Sequence, residues 1–187
     1  MRGAGYKRGM GTGLSARWAT EADIPALREI MDLAIEKLQR GFLSPEQIKA
    51  SRAVMGLDTQ LIADRTYCVI EDDGVPVGCG GWSNRNTLYG GDHSVDLRNA
   101  AMLDPAHDAA RIRAMYTHPD HARRGIGSMI LDFCEGAARA KGFASVELMA
   151  TMSGVPLYKA AGYVEIEPRV DVVDGVEVPL VRMRKAL

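Results

Sequence analysis

The stretch at residues 110–142 reads ARIRAMYTHPDHARRGIGSMILDFCEGAARAKG, and the rest of the chain is organised around it. In Ala110–Thr117, Ile112, Ala114 and Tyr116 alternate with Arg111, Arg113, Met115 and Thr117. That is the period of two of a β-strand. His118-Pro119-Asp120 stops the strand, because proline supplies no backbone donor and restricts the residue before it. Beyond it, Ile126, Ile130, Phe133 and Ala137 fall at helical spacing, with Asp132, Glu135 and Arg139 elsewhere on the wheel. Gly142 suits the helix end, where a left-handed residue is tolerated best as glycine.

Between strand and helix lies Arg123-Arg124-Gly125-Ile126-Gly127-Ser128. Glycines at such a point let a backbone approach a ligand closely. The unpaired N–H groups of a first helical turn point outward, and the helix dipole favours an anion beside them. Arg123 and Arg124 add positive charge. The segment therefore predicts a phosphate or pyrophosphate site; a tight turn with two solvated arginines is the competing explanation. A Walker loop needs Lys followed by Ser or Thr after its second glycine, which is missing here. A dinucleotide fingerprint needs a third small residue where Ile130 stands.

What remains resembles the coenzyme A pyrophosphate loop of the GCN5-related N-acetyltransferases, Gln/Arg-x-x-Gly-x-Gly/Ala. Ala122 stands where that family usually has Gln or Arg, while Gly125, Gly127 and Arg124 keep register. A second segment looks like the family's Ala-x-x-Leu/Phe-Tyr-x-x-x-Gly-Phe/Tyr: residues 156–163 read PLYKAAGY, so its tyrosine matches Tyr158 and its closing pair Gly162-Tyr163. The two motifs occur in the family's order.

The resemblance implies an α/β (α+β) acyl-CoA N-acyltransferase fold, with a mixed central sheet of about seven strands flanked by helices and splayed at its centre. It covers residues 14–187 as one acetyltransferase domain. It implies acetyl transfer from acetyl-CoA to an amine of a small molecule or peptide, by direct attack in a ternary complex. Arg123, Arg124, Gly125, Ile126, Gly127 and Ser128 would hold the pyrophosphate. Met115, Tyr116 and Thr117 would line the pantetheine, with the N–H of Met115 or Tyr116 as oxyanion donor. Tyr158 would protonate the leaving thiolate, since a phenol stays protonated at neutral pH. Ser153 takes the place of a common family Asn, on the pantetheine arm or a water. Trp82, Arg111 and Arg113 are candidate substrate residues; facing the pocket, the arginines would suit a carboxylate or phosphate on the acceptor. For the general base, Glu147, Asp92 and His93 are candidates beside ordered water or an already neutral amine. A coenzyme-binding sensor without transferase activity is the alternative function, and a nucleotide-binding regulator a third.

Composition agrees with an ordinary globular chain: 187 residues, 47% hydrophobic, 25% charged, formal net charge −1. Nothing in that charge argues for nucleic acid, and no apolar run approaches the roughly 20 residues of a membrane span. Cys68, Cys79 and Cys134 lack framework spacing and read as reduced thiols in a cytoplasmic protein. The four histidines make no metal signature, so no metal is expected. A homodimer through the late strands is common among family relatives.

Residues 1–13 (MRGAGYKRGMGTG) read as a disordered tail; Gly9-x-Gly11-x-Gly13 has no strand before it. A first strand is expected over Leu14–Ala19, then a helix capped by Thr20 or Asp23 with Ile24, Leu27, Met31, Ala34 and Leu38 on its apolar face. Ser44-Pro45-Glu46-Gln47 opens a second helix, expected to reach about Met55. Asp72-Asp73-Gly74 turns a hairpin of Tyr67–Glu71 and Val75–Trp82, and Asp174-Gly175 turns one of Val164–Val173 and Val176–Met183. A strand over Ser145–Ala150 precedes a short helix from Pro156. Residues 84–108 show no clear pattern and are expected to form a lid or substrate loop.

Overall fold

The computed structural model describes residues 13–187; the expected tail, apart from Gly13, lies outside the described residues. Among the described residues seven strands form one sheet in the order β1-β2-β3-β4-β5-β7-β6. They are β1 (Leu14–Trp18), β2 (Tyr67–Asp72), β3 (Val75–Ser83), β4 (Ala110–Thr117), β5 (Ser145–Thr151), β6 (Val164–Val173) and β7 (Val176–Ala186). The helices are α1 (Ile24–Leu38), α2 (Pro45–Ser51), α3 (Thr59–Ala63), α4 (Ile126–Ala140) and α5 (Val155–Ala160).

Local chemistry accounts for most of the boundaries. At the β2–β3 turn Asp73 and Gly74 have φ of 49° and 83°, and at the β6–β7 turn Asp174 and Gly175 have 49° and 79°. Positive φ at both central residues matches the right-handed twist of the flanking strands. Ser44 and Gln47 close a reciprocal capping box at α2, satisfying two otherwise orphan donors. Helix α2 stops at Ser51 rather than Met55, and turns carry the chain onward. Thr20 and Asp23 cap a single 3-10 turn that runs into α1. Helix α3 was not legible from periodicity; at five residues it shows too little of a face, and Asp58 caps it by accepting the Gln60 N–H at 3.0 Å.

Two apolar layers cover the sheet. On one face α4 buries Ile126, Ile130, Leu131, Cys134 and Ala138. On the other, α1 and α3 bury Leu27, Ile30, Ile35, Leu61 and Ile62 against Tyr67, Val69 and Tyr116. At roughly 25 cal/mol per Å² of apolar area, each such side chain contributes about 1.5–3 kcal/mol on transfer from water. Glu135 corrects the expected helix wheel: it is buried, accepting from Tyr163 Oη at 2.9 Å and Lys185 Nζ at 2.6 Å.

Two irregularities open the sheet. Every neighbouring pair is antiparallel except β4–β5, which is parallel and pairs only at Ala110–Val146 and Arg111–Glu147. Beyond those two rungs the strands part. In β4 the register against β3 jumps between Cys79 and Gly81, and Ala114 sits at φ 51°. This is a β-bulge, which adds a residue and bends the strand. It breaks the expected alternation: Ile112 packs in the α4 layer, whereas Tyr116 packs in the α1 layer. The Tyr67 hydroxyl fixes the bulge by donating to Ala114 O at 2.6 Å.

Candidate active site

Where β4 and β5 part, a cleft of about 630 Å³ opens on the start of α4. Helix α4 begins at Ile126, and Gly125 precedes it at φ 83° with no side-chain cap. That left-handed conformation strains any residue with a Cβ. Met129 is the first residue to bond back along the helix, to Gly125 O at 3.0 Å. The N–H groups of Ile126, Gly127 and Ser128 thus have no partner within the helix, and their dipoles sum to a partial positive charge at the cleft wall. Gly127 serves packing rather than ligand approach: a Cβ there would lie 2.6 Å from Leu157 Cδ2 of α5. The two glycines of the loop therefore do different work, one for backbone turn and one for helix–helix contact.

Of the residues read from sequence as coenzyme contacts, Met115, Tyr116, Thr117, Arg123, Gly125, Ile126, Gly127, Ser128 and Ser153 all border this cleft. Arg124 is not brought to it. Its Nη1 donates to Asp72 Oδ2 at 2.7 Å, across the loop from the cleft. Arg123, at φ 64°, is the arginine on the cleft side. Ser153 Oγ lies 3.2 Å from Thr151 Oγ1.

Strand β4 presents free backbone to the gap. His118 donates its N–H to Val77 O of β3 at 2.9 Å. Alternation along the strand then turns the N–H groups of Thr117 and Met115 away from β3, toward the space that β5 has left. Tyr116 faces β3 instead, so of the two oxyanion candidates only Met115 aims its N–H at the gap.

A second, smaller cavity of about 70 Å³ adjoins the same gap. Val54, Leu88, Ile112, Leu148, Met149 and Leu180 are the apolar side chains of its wall away from the larger cleft. It meets the larger cleft at Met55, Met115, Tyr116, Thr151 and Tyr158. Tyr158 stands at this junction, its hydroxyl 3.7 Å from Met115 Sδ and its ring 5.7 Å from the Tyr163 ring. Burial pushes its phenol up to about 12, because the phenolate would lose hydration without gaining a counter-charge. The Tyr116 hydroxyl is tied to Gly56 O at 3.1 Å, and burial raises its pKa as well.

The three candidate substrate residues fare differently. Trp82 is 4% exposed and packs edge-on against Phe143 in the α4 layer, 6.2 Å between ring centroids. It is a core residue and walls neither cavity. Arg111 is taken up by Glu147 Oε2 at 2.7 Å and Asn86 Oδ1 at 2.7 Å. Arg113 borders the smaller cavity, but its Nη1 meets Asp58 Oδ2 at 2.5 Å and its Nη2 donates to Gly90 O at 2.8 Å. Burial draws both guanidinium groups below the ordinary arginine range, against the opposing pull of Glu147 and Asp58. The strand alternation that placed these arginines on one face said nothing about the acids that meet them there.

The long loop at 84–108 is more structured than its sequence suggested. It contains a 3-10 turn at Val95–Leu97 and a bridge between Arg85 and Met102. Arg85 Nε pairs with Asp64 Oδ2 at 2.7 Å, Arg98 with Asp58 at 3.1 Å, and Tyr89 Oη donates to Asp171 Oδ1 at 3.1 Å. These contacts hold Leu88, Tyr89 and Gly90 over the smaller cavity. Asp92 bonds the Thr59 N–H at 2.9 Å, and His93 Nε2 lies 3.2 Å from Ala53 O. Neither borders the junction at Tyr158. No group of three or more metal-ligating side chains occurs among the described residues.

The fold matches several solved structures. A GCN5-related N-acetyltransferase from Rhodopseudomonas palustris aligns at TM-score 0.69 and 21% identity, covering 97% of this chain and 100% of that one. YncA from Salmonella typhimurium, solved with its cofactor acetyl-CoA, aligns at TM-score 0.61 and 19% identity over 94% of each chain. PaiA N-acetyltransferase from Thermoplasma acidophilum, in complex with coenzyme A, aligns at 0.61 and 14%, covering 93% of this chain and 99% of that one. At these identities the likeness speaks for the fold. Among curated proteins no sequence matches the chain. A family model does: acetyltransferase (GNAT) matches residues 28–163, most of the chain. A bulged central strand beside a parted neighbour, an uncapped helix start and that match lead to one conclusion: the chain belongs to the GNAT acetyltransferase family.

Proposed function

We propose that the protein transfers the acetyl group of acetyl-CoA to an amine by direct attack in a ternary complex. One observation carries this reading: the larger cleft and the smaller cavity share a single junction, bordered by Met115, Tyr116, Thr151 and Tyr158. Two substrates, one held in each, would meet there. The N–H groups of Ile126, Gly127 and Ser128, with Arg123, would take the pyrophosphate. The N–H of Thr117 would pair with the pantetheine amide groups along the open edge of β4. The N–H of Met115 would donate to the thioester oxygen as negative charge develops on it, a contribution that grows from ground state to transition state. Tyr158, protonated throughout the neutral range, would return a proton to the departing thiolate. Acetyl-CoA supplies the activated acyl group; the chain supplies position and donors.

The test is thiol release from acetyl-CoA with a panel of amines, alongside thermal unfolding with and without acetyl-CoA. A ligand that binds only the native state raises its stability, by about 2.7 kcal/mol at a hundredfold excess over Kd. Stabilisation and amine-dependent thiol release are the expected results. Stabilisation without turnover of any amine would favour a coenzyme-binding sensor. Absence of both would refute the reading.

A further inference from the structure

The smaller cavity carries a statement about the acceptor, resting on the acetyltransferase reading just given. Its wall mixes aliphatic side chains with polar groups, and its ionisable members are Arg113 and the three tyrosines Tyr89, Tyr116 and Tyr158. Burial holds Tyr89 and Tyr158 near 12, and raises Tyr116 too, so all three stay neutral at physiological pH. No aspartate, glutamate or histidine borders the cavity among the described residues.

The carboxylates that surround it are each occupied. On the α3 side, Asp58 is held by Arg113 at 2.5 Å and Arg98 at 3.1 Å. On β5, Glu147 is held by Arg111 and Arg182, both at 2.7 Å, with Arg184 at 3.6 Å. On β6, Asp171 accepts from Arg169 Nε at 3.0 Å and from Tyr89 Oη at 3.1 Å. Oxygens engaged by guanidinium donors are poorly placed to take a proton from an incoming ammonium. An ammonium would also lose hydration there with the Arg113 guanidinium beside it and no free carboxylate to pair with.

We infer that the acceptor is a weakly basic amine, of the α-amino type, which enters neutral and sheds its proton to solvent before it reaches the cavity. A polycation, which would bring several ammonium groups beside Arg113, is the least suited acceptor. An α-amino group titrates near 8 and an alkyl amine near 10.4, so at pH 7 the neutral fraction of the first exceeds that of the second by about 200-fold.

The experiment uses the full-length protein at saturating acetyl-CoA. Acceptors are leucinamide, isoamylamine, which carries the same branched alkyl group on an alkyl amine, and the polycation spermidine. The readout is kcat/KM for the acceptor across about pH 6 to pH 10.5, the span set by those two titrations. Leucinamide should be the best acceptor near neutrality, by at least about tenfold over isoamylamine after allowance for the greater nucleophilicity of the alkyl amine. Each profile should rise with unit slope and level off at its own amine's pKa. The Tyr158 phenol titrates too high to produce that break. A break at one common pH for every acceptor would mean a base on the protein and would overturn the inference. So would spermidine as the preferred acceptor, or acetyl-CoA binding with no turnover of either apolar amine. Lack of stabilisation by acetyl-CoA would remove the acetyltransferase reading itself, which separates the two failures.

Discussion

Removing one oxygen atom at the junction is the sharpest test of the proposed chemistry. In Tyr158→Phe the ring is kept, and with it the edge contact to Tyr163 at 5.7 Å. The lost hydroxyl has one hydrogen-bonding contact among the described residues, Met115 Sδ at 3.7 Å. Thioether sulfur is a weak acceptor, so folding stability should change by less than about 1 kcal/mol, the net worth of an ordinary hydrogen bond. Acetyl-CoA affinity should also be kept, since the N–H groups proposed to hold the pyrophosphate lie on α4. The rate is another matter. General acid catalysis contributes typically 100- to 10,000-fold, about 3–5 kcal/mol in activation free energy. The assay is continuous thiol release at saturating acetyl-CoA and acceptor, with thermal unfolding of the same preparation. A fall in kcat by at least about 100-fold, with Tm and KM for acetyl-CoA nearly unchanged, is the expected result. An unchanged kcat would refute the acid role, and a loss that tracks destabilisation would reassign Tyr158 to packing.

Three further outcomes follow from the geometry. Arg123→Ala should weaken acetyl-CoA binding in calorimetry, with a loss that shrinks at high salt, whereas Arg124→Ala, whose side chain pairs with Asp72, should leave affinity nearly intact; equal losses would contradict that division. Asp58→Asn leaves Arg113 buried without its counter-ion, and breaking such a pair costs about 3–5 kcal/mol; denaturant midpoints should fall accordingly, and a shift below about 1 kcal/mol would refute the idea that this acid anchors the 84–108 loop. Arg17 holds the Asp23 carboxyl at about 2, below its ordinary 3.8. Its contribution is complete above about pH 4 and is lost as pH falls through about 2; with Arg17 partly exposed it is about 1 kcal/mol, and Asp23→Asn should flatten that part of the acid stability curve.

Some of this molecule is written locally in the chain. The two Asp-Gly turns, the Ser44–Gln47 box, the helical stripe Ile126–Ala137 and the Gly125 turn depend on neighbours within a few residues. Short-range sterics and hydrogen bonding decide such features, so they could be read in order along the sequence. The Gly-x-Gly and Tyr158 segments belong with them, since each is a contiguous motif. The bulge at Ala114 does not. No glycine marks it, and it exists because Gly80 of β3 and the Tyr67 hydroxyl of β2 constrain β4 from across the sheet. From it follow the separate faces of Ile112 and Tyr116 and the direction of the Met115 N–H.

Pairing of charges was likewise decided in three dimensions. Arg111, Arg113 and Arg124 carry free-looking charge in the sequence, yet Glu147, Asp58 and Asp72 lie 36, 55 and 52 residues away from them and meet them in the fold. A buried charge needs a partner wherever the chain can supply one, and the sequence names the charge without naming that partner. The sequence by itself determined that a strand, a glycine turn and a helix would follow one another. Tertiary structure alone decided which arginine faces the cleft and which acids are already occupied, because those outcomes depend on contacts between segments that no local rule links.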